Sequence, residues 1–365
     1  MSTVISAGTT TNTAYNVNAD TSGSMVLATG SGPTTAVTID NSQNTTLAGY
    51  LNAPNTFGFK NRIINGAMAI SQRGTSFTLS GSAYTLDRWY ALYSASPPTV
   101  AQVAGIGGYS KALQVTGAAS NTNIYMIQRI ESLNCSDLSG ATVTIQVVLQ
   151  GSSSQTVAWG LQYANSTDNF SSVTNITSGT WSVTTSATTF TATVTGLPSG
   201  VLNGFQFYLS PNNGGAFTSG TLTYTGVQLE KGSTATSFDY RPYGTELALC
   251  QRYFEMSYDQ GTTPGSSTVL GMSVGYFPAS VSGANIRFPV TFQVTKRADP
   301  SLSYWDGAGN ASKETVWAAN NAQTNNVNGG SQSFVNVGER GFSFNDANLG
   351  AYYSFGIHWT ASAEL

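Results

Sequence analysis

Ionisable side chains are scarce in this sequence. Asp, Glu, Lys and Arg together are 8% of its 365 residues, against about 25% in an ordinary soluble domain. With 14 basic and 17 acidic residues and a formal net charge of −3, no basic field exists to hold a phosphate backbone, so nucleic acid is not expected as a partner. Cysteine is nearly absent. Cys135 and Cys250 are too few for a disulfide framework and read as two buried free thiols. No apolar run approaches the ~20 residues of a membrane helix. The opening Met1-Ser2-Thr3-Val4-Ile5-Ser6 has neither the basic nor the apolar region of a signal peptide. The expectation is a soluble protein, not inserted in a membrane, which does not leave a cell by the general secretion route.

The same scarcity empties most catalytic schemes. His358 is the single histidine and so the one possible base for a serine nucleophile, but no G-x-S-x-G elbow accompanies it. Two cysteines and one histidine far apart in sequence do not make a zinc site. Calcium needs only oxygens and stays open, though no D-x-[DN]-x-[DN]-G loop is present. Nucleotide motifs are missing too. The closest acid pairs, Glu131 with Asp137 and Asp239 with Glu246, lie beside Arg129 and Arg241 and read as ion pairs at a domain seam, not as a general acid and its partner. The chain is therefore read as a non-enzyme, with no catalytic residue, no metal and no cofactor assigned.

Gly, Ser, Thr and Asn take the place of the missing charge, and hydrophobic residues are still 40%. That mixture favours strands and turns over helix. Val143, Ile145, Val147 and Leu149 recur at every second position, as do Phe190, Ala192 and Val194, and Phe205, Phe207 and Leu209. Leu197-Pro198-Ser199-Gly200 and Pro211-Asn212-Asn213-Gly214-Gly215 are turn signals between them. Near the end, Ile286, Phe288, Val290, Phe292 and Val294 alternate with polar residues, as do Ala351, Tyr353, Phe355, Ile357 and Trp359. Strands with one face in a core and one in water are antiparallel strands, and Pro289, which cannot donate to a ladder, predicts an edge strand or a bulge. The fold class is all-β: antiparallel sandwich or jelly-roll domains in tandem. Leu247, Cys250 and Phe254 share one helical face, predicting a connecting helix over 245–258.

Charge spacing suggests the divisions. Only Asp20 and Asp40 are charged before Lys60, whereas Glu230 to Glu255 is dense in charge and reads as a junction between two β domains. The expected organisation is 1–59 as an attachment or oligomerisation segment, 60–244 as a sandwich, 245–260 as a helical connector and 261–365 as a second sandwich. Residues 35–40 form a short strand in the first segment, which cannot close a core alone.

Recognition of a glycan asks only for aromatic rings to stack on a sugar's C–H face, with amides and hydroxyls nearby. Trp89, Trp159 and Trp181 are read as core, and Tyr353 and Trp359 as core by phase. Trp305, Trp317, Tyr352 and His358 remain as the candidate glycan-binding residues, the last two by their place on the polar face of the terminal strand.

Three stretches resemble a module found in phage tail and fibre proteins. The first runs Asn61-Arg62-Ile63-Ile64-Asn65-Gly66-Ala67-Met68, then Ser71-Gln72-Arg73-Gly74 and Tyr84-Thr85-Leu86-Asp87-Arg88-Trp89. The second is Gly226-Val227-Gln228-Leu229-Glu230-Lys231-Gly232 with Phe238-Asp239-Tyr240-Arg241-Pro242-Tyr243-Gly244, through Cys250-Gln251-Arg252-Tyr253. The third is Phe288-Pro289-Val290, Asp299-Pro300 and Ala363-Glu364-Leu365. The resemblance implies a virion appendage with a carbohydrate-binding-module-like sandwich, homotrimeric, made in a bacterial cytoplasm, attached to other virion proteins through 1–59 and meeting a host surface glycan. The alternatives are a spacer of the particle or, less in keeping with so few carboxylates, a depolymerising tailspike. The matching motifs are turn and seam residues: Asn65-Gly66 a turn, Gly226 a bulge, and Asp87, Arg88, Trp89, Glu230, Asp239 and Arg241 structural, with Asp87–Arg88 and Glu230–Arg241 as pairs.

Overall fold

A computed structural model describes residues 24–29, 34–40, 42, 45–47, 59–281, 286–318, 322–327, 332–346 and 352–365. The chain divides into two compact units, Met1–Thr56 and Phe57–Leu365. In the first, strands β1 (Met25–Thr29), β2 (Thr34–Ile39) and β3 (Thr45–Leu47) form an antiparallel meander, β2 in the centre. The predicted strand at 35–40 is β2. Val26 and Leu27 are exposed. The remainder of the expected attachment segment lies outside the described residues.

The second unit begins with a sandwich of two six-stranded sheets. Its strands are β4 (Ser76–Thr78), β5 (Ala83–Tyr84), β6 (Tyr90–Ala95), β7 (Thr99–Ala104), β8 (Lys111–Thr116), β9 (Asn121–Ile130), β10 (Val143–Gly151), β11 (Gln155–Ser166), β12 (Asn169–Val183), β13 (Thr188–Val194), β14 (Phe205–Ser210) and β15 (Thr221–Lys231). One sheet runs β13-β10-β15-β8-β7-β4 and the other β12-β11-β14-β9-β6-β5. The alternating residues do what their phase predicts. Ile145, Val147, Phe205, Phe207 and Leu209 meet Trp89, Trp159 and Tyr224 in one core, on which Trp181, Phe190 and Val194 pack half-buried. Cys135 and Cys250 are buried and free. Gln146 pairs with Gln228 and Val148 with Thr225, so Gly226 and Val227 together oppose Val147: the predicted bulge, with Gly226 at φ +61° where a Cβ would lie 2.5 Å from the Tyr109 ring. Asn65 makes the predicted turn, the Met68 N–H donating to its carbonyl at 3.1 Å.

Helix α1 (Tyr243–Gln251) is shorter than the expected 245–258. Phe254 does not share a helical face with Leu247 and Cys250; it opens strand β16 (Phe254–Met256), which pairs with 360–362. Ladder hydrogen bonds and burial of Phe254 and Met256 outweigh local helix propensity. Cys250 packs with Ile64, Ile70 and Tyr253, against Leu365. Among the described residues no helix is long and apolar enough to cross a membrane.

The second sandwich comprises β16, β17 (Ser273–Val281), β18 (Ile286–Thr291), β19 (Ser301–Trp305), β20 (Glu314–Trp317), β21 (Gln323–Val327), β22 (Gln332–Gly338), β23 (Gly341–Asp346) and β24 (Tyr352–Ser362). β24 is central: β16, β17, β19 and β20 all pair with it. Facing it, β18-β23-β22 form a three-stranded sheet whose edge strand carries Pro289, as a missing donor requires. Ile286, Phe288, Val290 and Phe292 join Phe342, Phe344, Phe355, Ile357 and Trp359 in the core. Val294 lies past the end of β18 and is only half-buried.

Candidate functional site

The residues singled out in the second sandwich are largely withdrawn from solvent. His358 is fully buried, correcting its placement on a wet face. Its ring stacks on Tyr258 at 3.8 Å and 11°. Nε2 lies 3.0 Å from the Thr268 carbonyl, an acceptor only, so Nε2 carries the proton and Nδ1 accepts from the Ser257 hydroxyl at 3.0 Å. Burial holds the imidazole below its ordinary pKa, against the Thr268 hydrogen bond. The physical reason is coverage of β24 on both faces, with Ser354, Phe355, Gly356, Ile357, His358, Trp359, Thr360 and Ala361 all buried. Tyr353, expected in the core, is exposed, and Tyr352 leans half-buried on the apolar cluster. Trp305 is half-buried edge-on to Tyr258 at 6.3 Å. Trp317 is half-buried against Gly356.

The seam between the sandwiches is built from charge. Glu364 pairs with Arg73 at 2.9 Å and with Arg88, which is itself fully buried and stacks over Tyr253 at 3.5 Å. The Leu365 carbonyl accepts from Tyr84 and Arg129, and the Ala363 carbonyl from Arg297 at 2.6 Å. Asp87 does not pair with Arg88, as expected from adjacency; it accepts from the backbone and side chain of Gln72 at 2.7 and 2.6 Å, with Arg73 3.9 Å away. Burial pushes its carboxyl above the ordinary range, against Arg73. Trp89 is in the core, its indole N–H donating to the Asn65 carbonyl. Glu230 is likewise not the partner of Arg241. It accepts from Gln228 and Thr236, whereas Arg241 pairs with Glu246 at 3.2 Å. Asp239 and Arg241 fasten the loop after β15 to residues 61–63 of the same sandwich, and Glu230 holds that loop at Thr236. Asp87 and Arg88 stand in a turn with Arg88 at φ +71°, which turns the two side chains to different partners. The acids read as pairs are spoken for: Glu131 by Arg252 at 3.0 Å and Asp137 by Arg62 at 2.9 Å.

The outer face of the β12-β11-β14-β9-β6-β5 sheet is different. Because Phe207 and Leu209 point inward, Gln206 and Tyr208 point outward, and the same parity sends Tyr125 outward from Ile124 and Met126. Gly160 on β11 lies directly opposite Tyr208 and Ser178 on β12 opposite Gly160. A Cβ on Gly160 would stand 2.4 Å from the Tyr208 ring, so the ring is laid across the strand where a side chain is missing. It reaches Ser178, whose hydrogen bond opposes the rise in phenol pKa caused by burial and, second, by Tyr125. Tyr125 stands nearly perpendicular at 5.5 Å and 78°. One ring forms a floor and the other a wall. Alongside, the Gln206 amide donates to Gln162 Oε1 at 2.5 Å, and its own oxygen has no protein donor among the described residues. Leu92 is exposed on the far side of Tyr125. Both tyrosines are half-buried. The sequence reading passed over them, although the parity of Phe205, Phe207 and Leu209 carried the signal.

Comparison with known proteins gives only structural likeness. No family model matches the chain, and no curated protein matches its sequence. Solved structures similar to part of it include one described as "CBM4 structure and function", 18% identical over 46% of this chain and 98% of that one, with a TM-score of 0.33. Another is the enzymatically active domain of tailspike protein 4 of bacteriophage CBA120, 12% identical over 47% of this chain and 21% of that one, TM-score 0.33. A third is TmCBM61 in complex with β-1,4-galactotriose, 10% identical over 48% and 100%, TM-score 0.31. At scores this low the likeness assigns no ligand to the chain.

Proposed function

We propose that the chain is a non-catalytic glycan-binding subunit of a phage-type fibre, and that it recognises neutral sugar through the outer sheet face around Tyr208 and Tyr125. The observation that carries this reading is the ring of Tyr208 laid flat over Gly160 with Tyr125 upright beside it. A pyranose has an apolar C–H face to stack on the floor and equatorial hydroxyls to meet Ser178 and the Gln162 amide, which Gln206 holds from below. No charge stands among these groups, which suits an uncharged ligand. A site of this size is weak alone, and repetition along a fibre would supply the strength. The motif resemblance to phage tail and fibre modules supports the setting, as does a small, separate first unit whose Val26 and Leu27 face solvent in a single chain and would be covered by further copies or a docking partner.

Binding of the full chain to an array of host-type glycans tests the site. Tyr208→Ala and Gly160→Val, which lifts the same ring from below, should each weaken capture about tenfold, corresponding to ~1.4 kcal/mol. Unchanged capture by both variants rejects this face. Sedimentation of the full chain beside a version lacking 1–56 tests assembly: a monomer in both cases removes the fibre.

A further inference from the structure

At one edge of the first sandwich we infer a second saccharide subsite, which adjoins the sheet face at Ser178. Strands β12 and β13 are the outermost strands of the two sheets at the same end of the sandwich, and between them the structure leaves a cleft of about 730 Å³. Its floor is aromatic, from Trp159 and Tyr163 of β11, with Ile176 at the point where β12 bulges. Thr174 and Thr177 line one side and Thr195 the other.

Two glycines set the floor. A Cβ on Gly179 would stand 2.9 Å from the Trp159 indole, and one on Gly200 would stand 2.3 Å from the Tyr163 ring, so each ring lies down against bare backbone. Trp181, half-buried on the edge strand, stacks on Trp159 at 5.4 Å and 22°.

The lining contains no Asp, Glu, Lys, Arg or His. An ionic ligand would lose its hydration and find no counter-charge, and a purely apolar one would strand the threonine hydroxyls. A neutral oligosaccharide presents both an apolar ring face and a rim of hydroxyls, and the geometry fits that class. Two subsites meeting at Ser178 would let a single long polysaccharide be held at two points, raising retention by effective concentration.

The test uses the full chain carrying Tyr208→Ala, so that the sheet face is disabled. Tryptophan is replaced by 5-fluorotryptophan, and the Trp159 resonance is identified by its loss in Trp159→Phe. β-1,4-galactotriose, β-1,4-glucotriose and maltotriose are titrated in turn. At least one should move the Trp159 resonance saturably. Adding Ile176→Trp, which fills the cleft, should weaken that titration at least tenfold, and the milder Thr177→Val, which removes one hydroxyl without changing shape, a few-fold. Neither change should alter capture attributable to the sheet face in the chain with Tyr208 intact. If no trisaccharide moves the resonance, or if Ile176→Trp and Thr177→Val both leave the titration unchanged, the second site is wrong. If Tyr208→Ala leaves glycan capture intact while Ile176→Trp removes it, the sheet face is wrong and the cleft stands.

Discussion

The two sandwiches start from the same sequence pattern, apolar residues at every second position, and end with opposite treatment of what lies between. In the first, the polar parity of β9, β11 and β14 reaches the surface, where Tyr125, Tyr208 and Gln162 are half-buried on one outer face. In the second, the polar parity of the central strand goes inside with His358, Ser354 and Thr360. The same domain encloses the Lys296–Glu255 pair at 2.5 Å and a fully buried Glu314 beside Asp346. The difference teaches that alternation identifies a strand but not what covers its second face. A central strand overlaid by a loop buries its polar residues and must satisfy them; a strand in an uncovered sheet face presents them.

The contrast can be broken most forcefully at the seam, where the two halves share charge. Glu364→Ala would leave Arg88 buried without its carboxylate, and such a loss costs about 3–5 kcal/mol. Denaturant unfolding should show that loss in full; an unchanged midpoint would mean that the sandwiches are coupled by apolar contact alone.

A second measurement targets the enclosed histidine. His358→Ala removes the hydrogen bonds to Thr268 and Ser257 and should cost about 1–3 kcal/mol at pH 8. Because burial lowers the folded pKa from an ordinary 6.5, the unfolded chain takes up a proton first on acidification. The stability contributed by the neutral ring is therefore complete above pH 6.5 and is lost as pH falls to the folded-state pKa, where the slope ends. The alanine variant should lack that slope, and if both proteins follow the same curve His358 is not held neutral by the fold.

Glu314 should respond with the opposite sign. Burial, and then the neighbouring Asp346, raise its pKa from an ordinary 4.5 to about 9. Between those values the unfolded chain is ionised while the folded one keeps its proton, so stability falls as pH rises from 4.5 towards 9. Glu314→Gln should raise the melting temperature at pH 8 and leave it unchanged near pH 4; a gain of equal size at both pH values would trace to packing instead.

The smallest effect belongs to the open face. Tyr208→Ala should cost about 1 kcal/mol of folding stability, the scale of a half-buried aromatic pair, while glycan capture falls. A large loss of stability would place Tyr208 in the structural framework and withdraw it from recognition.

Much of this was legible in the residues. The inward sets Val143 to Leu149, Phe205 to Leu209 and Ile286 to Phe292 are where their period puts them, because a strand has only two faces and apolar residues can satisfy one of them. The bulge at Gly226 and the edge position of Pro289 follow from backbone chemistry that belongs to those residues alone. The helix was legible only in part: residues 243–251 coil, but Phe254 is taken by pairing with a strand more than a hundred residues away. Partners of charged residues were not legible. Glu364 reaches Arg73 and Arg88 across nearly the whole sequence, and nothing in local order announces it.

What the amino-acid sequence determined by itself was the class of structure: few charges, β-forming residues in alternation and turn residues between them leave antiparallel sheets as the arrangement that buries the apolar half. Tertiary structure alone decided which second faces meet water. Coverage depends on which distant segments lie over a strand, so His358 and Tyr208, equivalent by period, end as a sealed hydrogen-bonded ring and an open platform.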